Sequence, residues 1–275
     1  MKVNLVTPHP DLFMQGVNEI YRAEIALLFK NIGWKVCYTT ETCINDADLI
    51  LILAHYREEV YSEWVRNIIK PHKNCMIGVW GKAATEARFW LLKINFNIDF
   101  VICGEPEGTL YEIAQRIYCG IYCVEGIKGV AIEKSGIFID ATPRKSFSSY
   151  DINSMPDLSY LYNRKEFPIC VLSSSRGCHG NCSFCEGNIH RSFTEGPSYR
   201  AKSANRVVDE IEYVVSKYNH RIFAFADDNF IVDGIMGKER AKEIAQKILE
   251  RKLKIRFTIE CRSDDIDIEV FSLLR

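Results

Sequence analysis

Three cysteines, Cys178, Cys182 and Cys185, fall within eight residues in the stretch Ser-Arg-Gly-Cys-His-Gly-Asn-Cys-Ser-Phe-Cys-Glu-Gly-Asn. Their spacing is C-x3-C-x2-C, directly after an apolar, strand-like run. Thiolates are the usual ligands of cubane iron–sulfur clusters, which normally take four. Three on one loop can hold three corners and leave the fourth iron open to a cofactor or substrate. Gly177 and Gly180 let the backbone wrap closely around such a group, and Arg176 places positive charge beside negative thiolates. A zinc ion is the alternative, with His179 or His190 as fourth ligand. Zinc loops usually pair one C-x2-C unit with a second, and no second pair occurs here.

The other chemically capable residues sit where strand-like runs end. Asp227 and Asp228 close the run Arg-Ile-Phe-Ala-Phe-Ala-Asp-Asp. A carboxylate there can accept hydrogen bonds from an ammonium group, or serve as a turn or cap residue. Glu260 and Arg262 close the run Lys254–Arg262. Arg262 can grip a carboxylate with two parallel hydrogen bonds, or pair on the surface with Asp264 or Asp265.

The elements that must position these residues follow from periodicity. In the first part, strands are predicted at Val3–Thr7, Lys35–Thr39, Asp48–Ala54, Cys75–Trp80 and Asp99–Cys103. Helices are predicted at Phe13–Lys30, Glu58–Lys70 (ended by Pro71), Thr85–Lys93 and Glu107–Cys119. Strands apolar throughout, separated by helices, imply a parallel sheet covered on both faces, an α/β doubly wound domain. Ligands in such sheets bind beyond the carboxyl ends of the strands, here marked by Pro8-His9-Pro10, Ala54-His55, Gly81 and Gly104-Glu105. From Gly129 a β-hairpin is expected to turn near Ser135-Gly136, followed by a linker at Thr142–Asp157. Then come the strand leading into the cysteine loop, a helix from a Ser203 cap to Tyr218, and a strand at Arg221–Asp228. A helix at Lys238–Lys252, a strand at Lys254–Arg262 and the start of another helix after Asp267 complete the chain. That makes three β/α units, too few for a closed eight-unit barrel. The division expected is 1–125, a hairpin and linker at 126–165, and 166–275.

Of 275 residues, 47% are hydrophobic and 26% charged, with a formal net charge of −1. This balance points to neither nucleic acid nor an anionic membrane surface. The longest apolar run, Leu49–Ala54, is far too short to cross a bilayer, and the N-terminus lacks a signal-peptide layout. Eleven cysteines, an odd number in a long chain, suit a reducing compartment and metal chemistry better than a disulfide scaffold. A cytoplasmic location is therefore expected. Cys37, Cys103 and Cys170 sit in apolar runs and read as small buried hydrophobes.

The cysteine loop resembles the signature of radical S-adenosylmethionine (radical SAM) enzymes, C-x3-C-x-aromatic-C, with Phe184 as the aromatic residue. The resemblance implies a [4Fe-4S] cluster on a partial β/α barrel, its open iron chelated by S-adenosylmethionine. One electron from the cluster then cleaves the sulfonium to a 5′-deoxyadenosyl radical. It also implies cofactor contacts from Phe184, Asp227, Asp228, Glu260 and Arg262, and Ser198–Ser203 resembles the family segment before the first helix. Asp99–Gln115, a strand, a Gly-Glu-Pro-Glu turn and a helix, is similar to the end of the cobalamin-binding domains that precede radical SAM domains. Cobalamin would then lie near Pro8, His55, Gly81, Gly104 and Glu105. The cobalt-ligating string Asp-x-His-x-x-Gly is absent, as in many members of that family. Methylthiotransferases share the domain order but carry cluster cysteines at N-terminal strand exits, which here read Leu-Ala-His-Tyr-Arg-Glu-Glu and Gly-Val-Trp-Gly-Lys-Ala-Ala.

What the resemblance implies is cobalamin-dependent methyl transfer, or a related radical modification, of a small-molecule or peptide substrate, with an electron donor such as flavodoxin or ferredoxin. Two alternatives stand beside it: a cobalamin-independent radical oxidoreductase or cyclase, and an inactive iron–sulfur-binding fragment. The family pattern continues past residue 275, so a truncated chain, or a second chain completing the barrel, is expected.

Overall fold

The computed structural model describes residues 1–7, 12–39, 44, 46–146, 169–231 and 234–275. By contact the chain divides into two compact units, each assembled from separated stretches. The first holds Met1–Asp11, Tyr21–Phe147 and Cys182–Gly196; the second holds Leu12–Ile20, Ser148–Asn181 and Pro197–Arg275.

The first unit is built on a seven-stranded sheet. Its strands are β1 (Lys2–Val6), β2 (Lys35–Thr39), β3 (Leu49–Leu53), β4 (Met76–Trp80), β5 (Phe100–Ile102), β6 (Val130–Lys134) and β7 (Ile137–Ile139), in the order β2-β1-β3-β4-β5-β6-β7. The first five are parallel, and β6 and β7 continue the sheet antiparallel. Every residue of β3 is buried, because successive side chains alternate between two covered faces. Leu49, Leu51 and Leu53 join a core with Ile25, Ala26 and Phe29 of α1 (Leu12–Asn31) and with Leu110, Ile113 and Ile117 of α5 (Glu107–Tyr118). Ile50 and Ile52 join the opposite core with Val65 of α3 (Glu63–Asn67) and with Ala83, Ala84, Leu91 and Leu92 of α4 (Lys82–Ile94). The two cores make the sheet doubly wound, as the uniformly apolar strands require.

The helix expected over Glu58–Lys70 is instead two short ones, α2 (Arg57–Val60) and α3. Between them the Ser62 hydroxyl donates to the Glu59 carbonyl at 2.7 Å, a local bond that competes with the helical ladder. The hairpin turns where expected. Ser135 and Gly136 both take positive φ, 53° and 82°, the backbone a tight turn between twisted strands needs. The expected linker begins with a short strand, β8 (Arg144–Lys145), and its residues 147–157 lie outside the described residues.

The second unit contains a parallel three-stranded sheet, β9 (Cys170–Leu172), β13 (Ile222–Phe225) and β14 (Arg256–Thr258), with β13 central. An antiparallel ribbon pairs β10 (Ser175–Gly177) with β12 (Tyr199–Ala201). Helices α7 (Ala204–Tyr218) and α8 (Ile235–Glu250) connect the parallel strands. The Ser203 hydroxyl accepts from Arg206 N, and Asn219 closes α7 in the left-handed conformation at φ 56°. Val207, Val208, Ile211 and Val214 form its buried stripe.

Gly81 ends β4 and precedes α4 with φ 125°, and a Cβ there would lie 2.4 Å from the Ala54 carbonyl oxygen. Gly81→Ala therefore combines backbone strain with a clash at the centre of the sheet. It is expected to cost about 2–4 kcal/mol of stability, read as a lower urea midpoint.

Candidate functional site

The cysteine loop leaves the ribbon at Gly177. Its φ is 78°, and an added Cβ would stand 2.0 Å from the Ser198 carbonyl oxygen, so the chain can turn out of β10 only with glycine here. Cys178 follows, half-buried, and its Sγ accepts the Gly180 N–H at 3.3 Å. Backbone N–H groups aimed at sulfur tune a bound cluster. Cys182 and Cys185 are closed into a turn: the Cys182 carbonyl accepts from Cys185 N at 3.0 Å and from Asn188 Nδ2 at 2.6 Å. Cys185 then starts a short helix, α6 (Glu186–Ser192).

Exposure separates these cysteines from three buried ones, though not from Cys37, Cys119, Cys123 and Cys261. Cys182 is half-buried and Cys185 exposed, whereas Cys75, Cys103 and Cys170 are buried. Burial pushes the Cys75 and Cys103 thiols up to about 12, making them poor ligands. Cys103 and Cys170 thus behave as the small hydrophobes expected, while Cys37 is only half-buried. The donor set of the loop fits a cubane cluster: three accessible thiols, one already accepting an N–H bond. Among the described residues no three His, Cys, Asp or Glu side chains are gathered around one point. Cys178 belongs to the second unit, and Cys182 and Cys185 open the segment counted with the first. Phe184 between them is 88% exposed.

The acidic pair divides sharply. Asp227 is buried, and its carboxylate accepts from Ser174 N at 2.7 Å, from Ser175 N at 3.0 Å and from the Ser174 hydroxyl. Arg240 reaches the same corner, donating to the Ser174 carbonyl at 2.8 Å and hydroxyl at 3.0 Å. Burial raises the Asp227 carboxyl against the lowering pull of these bonds. Asp227 thus braces the exit of β9, where the N–H groups of Ser174 and Ser175 both turn to its carboxylate. Asp228, next along the chain, is exposed. Glu260 is exposed, and its carbonyl accepts from Phe230 N. Arg262 takes the surface pairing foreseen for it, donating to Asp264 through Nε at 2.9 Å and through Nη2 at 2.5 Å. Its guanidinium also lies over the loop, since a Cβ on Gly180 would meet Arg262 Nη1 at 2.6 Å.

In the first unit the residues assigned to a corrinoid are engaged internally. The His55 ring is buried, stacked on Tyr21 at 4.7 Å and edge-on to Tyr56 at 4.9 Å. Gly81 lies against Ala54. Gly104, at φ 76°, would bring a Cβ to 2.8 Å from Thr194 Oγ1 and 2.9 Å from the Phe193 carbonyl oxygen. Glu105 N donates to Thr194 Oγ1 at 3.3 Å. Pro8 lies outside the described residues. The glycines thus accommodate close approach of the protein's own chain.

The segment occupying that place was not anticipated from the sequence. Its strand β11 (Thr194–Glu195) pairs parallel with β8. Phe193 sits under the Arg88 guanidinium at 4.7 Å, and Arg88 is held by Asp140 through bonds of 2.6 and 2.8 Å. These partners lie fifty or more residues apart, so no local pattern reveals them. The Ser173-Ser174-Ser175 run before the loop was the visible trace of the Asp227 brace.

Residues 172–275 match the family description Radical SAM superfamily. This stretch is a radical SAM domain. Over 182 residues the chain is 28% identical to an uncharacterized methyltransferase of Pyrococcus horikoshii, covering 65% of this chain and 38% of that protein. Over 181 residues it is 24% identical to the anaerobic magnesium-protoporphyrin IX monomethyl ester cyclase of Rubrivivax gelatinosus, covering 62% and 30%. Among solved structures it is similar to the radical SAM methyltransferase TsrM of Kitasatospora setae with cobalamin and a [4Fe-4S] cluster bound. That match has TM-score 0.70 and 17% identity over 99% of this chain and 58% of that one. It is also similar to the cobalamin-dependent radical enzyme OxsB with aqua-cobalamin and S-adenosylmethionine bound, with TM-score 0.69 and 18% identity over 98% and 40%. The chain spans well under two thirds of each of these proteins. The likenesses establish the α/β fold preceding and including the radical SAM domain. Among the described residues, no helix is long and apolar enough to cross a membrane.

Two outcomes follow from these contacts. Asp227→Ala strands two buried N–H groups ahead of the radical SAM loop and is expected to cost about 2–4 kcal/mol in urea unfolding. The hydrogen bond from Arg88 holds the Asp140 carboxyl below its usual value. That stabilisation is present above the unfolded carboxyl pKa and lost as pH falls through the lower folded one. Asp140 is 44% exposed, so the pair is worth about 0.5 kcal/mol. Arg88→Gln should remove this part of the acid dependence in a pH series of melts.

Proposed function

We propose that this protein is a radical SAM enzyme, with Cys178, Cys182 and Cys185 as ligands of a [4Fe-4S] cluster whose fourth iron takes S-adenosylmethionine. The observation that carries the reading is the accessible three-thiol loop at the entry of a segment matching the radical SAM family. The cluster supplies the electron that breaks the carbon–sulfur bond of the sulfonium; the protein supplies position and exclusion of water. The Gly180 N–H steadies Cys178. The exposed Phe184 ring offers a flat apolar surface to an adenine, and the exposed Asp228 carboxylate can accept bonds from the methionyl ammonium. Arg262, over Gly180, can exchange its exposed Asp264 partner for the methionyl carboxylate, since a surface pair of this kind costs little to release. Glu260 stands on the same strand exit.

Methyl transfer aided by cobalamin is the finer reading, supported by the methyltransferase relative and by the two cobalamin-containing structures of this fold. His55, Gly81, Gly104 and Glu105 are internally engaged, so no step is assigned to them. A ring-forming or oxidative radical reaction without cobalamin is the second reading, favoured by the cyclase relative and by those same engaged residues. The enzyme would take a small molecule or peptide as substrate, a flavodoxin or ferredoxin as electron donor, and a cytoplasmic location.

Anaerobic reconstitution should give about four iron and four sulfide per chain with broad absorbance near 400 nm. Cys178→Ala, Cys182→Ala and Cys185→Ala should each abolish it. Incubation with S-adenosylmethionine and a strong reductant should release 5′-deoxyadenosine; an intact cluster that releases none overturns the enzymatic reading. Retention of added hydroxocobalamin through gel filtration separates the two finer readings.

A further inference from the structure

Beside Cys178 lies a polar cluster that no part of the proposed chemistry uses. Asp265, on the 3-10 turn Ser263–Asp265, is 2% exposed, and Asn229, after β13, is completely buried. Asn229 Nδ2 donates to Asp265 Oδ2 at 2.8 Å and faces His179 Nδ1 at 3.4 Å. His179 Nε2 stands 3.7 Å from the same Asp265 oxygen. Asn229 Oδ1 accepts from Arg262 N at 3.4 Å, the Asn229 carbonyl from the Ser175 hydroxyl at 3.3 Å, and the Arg262 carbonyl from Asp265 N at 3.1 Å. The geometry suits one tautomer: Nδ1 accepts from the amide and Nε2–H points at the carboxylate. A buried carboxylate is costly without partners. Here its partners come from two places, the cysteine loop and the exit of β13, while the carboxylate itself sits on the turn after β14.

We propose that Asn229 and Asp265 are positioning residues that hold the His179 imidazole and so lock the Cys178–Gly180 turn in the form that ligates iron. This rests on the cluster reading above. His179 is not itself a ligand. Its side chain is 26% exposed, and both its ring nitrogens face protein groups. The Gly180 N–H to Cys178 sulfur bond lies within the same three-residue turn, so movement of the ring moves the sulfur. Partners of this kind, one shell beyond a metal's ligands, alter its retention about 10- to 100-fold.

The test is a double-mutant cycle on the full chain after anaerobic reconstitution, reading the rate of iron loss to a chelator and the urea midpoint of the cluster-free protein. His179→Phe and Asp265→Asn should each speed iron loss about tenfold. The combined variant should be no faster than the worse single one, and His179→Gln, which keeps a donor and an acceptor, should recover most of the retention. Cluster-free His179→Phe should unfold at the wild-type midpoint, which separates positioning from folding. Wild-type rates in both single variants, or effects that multiply in the double variant, overturn the proposal while leaving the cluster reading intact. A wild-type chain that assembles no cluster overturns both.

Discussion

The arrangement depends first on one buried carboxylate. Where β9 ends, the chain must leave the parallel sheet and turn toward the cysteines, and the N–H groups of Ser174 and Ser175 no longer meet a neighbouring strand of that sheet. Asp227, at the exit of the neighbouring strand, accepts both N–H groups, and Arg240 ties off the Ser174 carbonyl. Unpaired buried backbone groups are too costly to leave. The path into the loop is therefore set by a residue more than fifty positions away. Asn229, two residues on, extends the same corner to His179 and Asp265.

The same principle shapes the first unit. A parallel sheet with two covered faces leaves only its strand ends open for function, and at β4 and β5 those ends are closed by close backbone approach. Gly81 meets Ala54, and Gly104 meets the Phe193–Thr194 stretch. Glycines at such ends suggest a ligand site when read from sequence alone. Here they admit the protein's own chain.

Much of the fold was legible in the residues. The uniformly apolar Leu49–Leu53 required a sheet covered on both sides, Ser203 opened a helix running to Tyr218, and Ser135-Gly136 marked a hairpin. Each depends on neighbours within a few positions, where steric and hydrogen-bonding preferences act directly on the chain. The single helix expected over Glu58–Lys70 failed for an equally local reason, the Ser62 hydroxyl bond, which competes with the ladder but leaves the apolar period unchanged.

By itself the sequence determined the donor set: three thiols at fixed spacing, with glycines on both sides of the first. Spacing along a loop is covalent and needs no fold to be read. Only the tertiary structure buried Asp227 and left Asp228 exposed, paired Arg262 with Asp264 over Gly180, and placed Asp265 and Asn229 behind His179. Those outcomes turn on burial and on partners distant in sequence. Two adjacent aspartates are chemically identical until one is enclosed and given N–H groups to hold, and that enclosure exists only once the strands have come together.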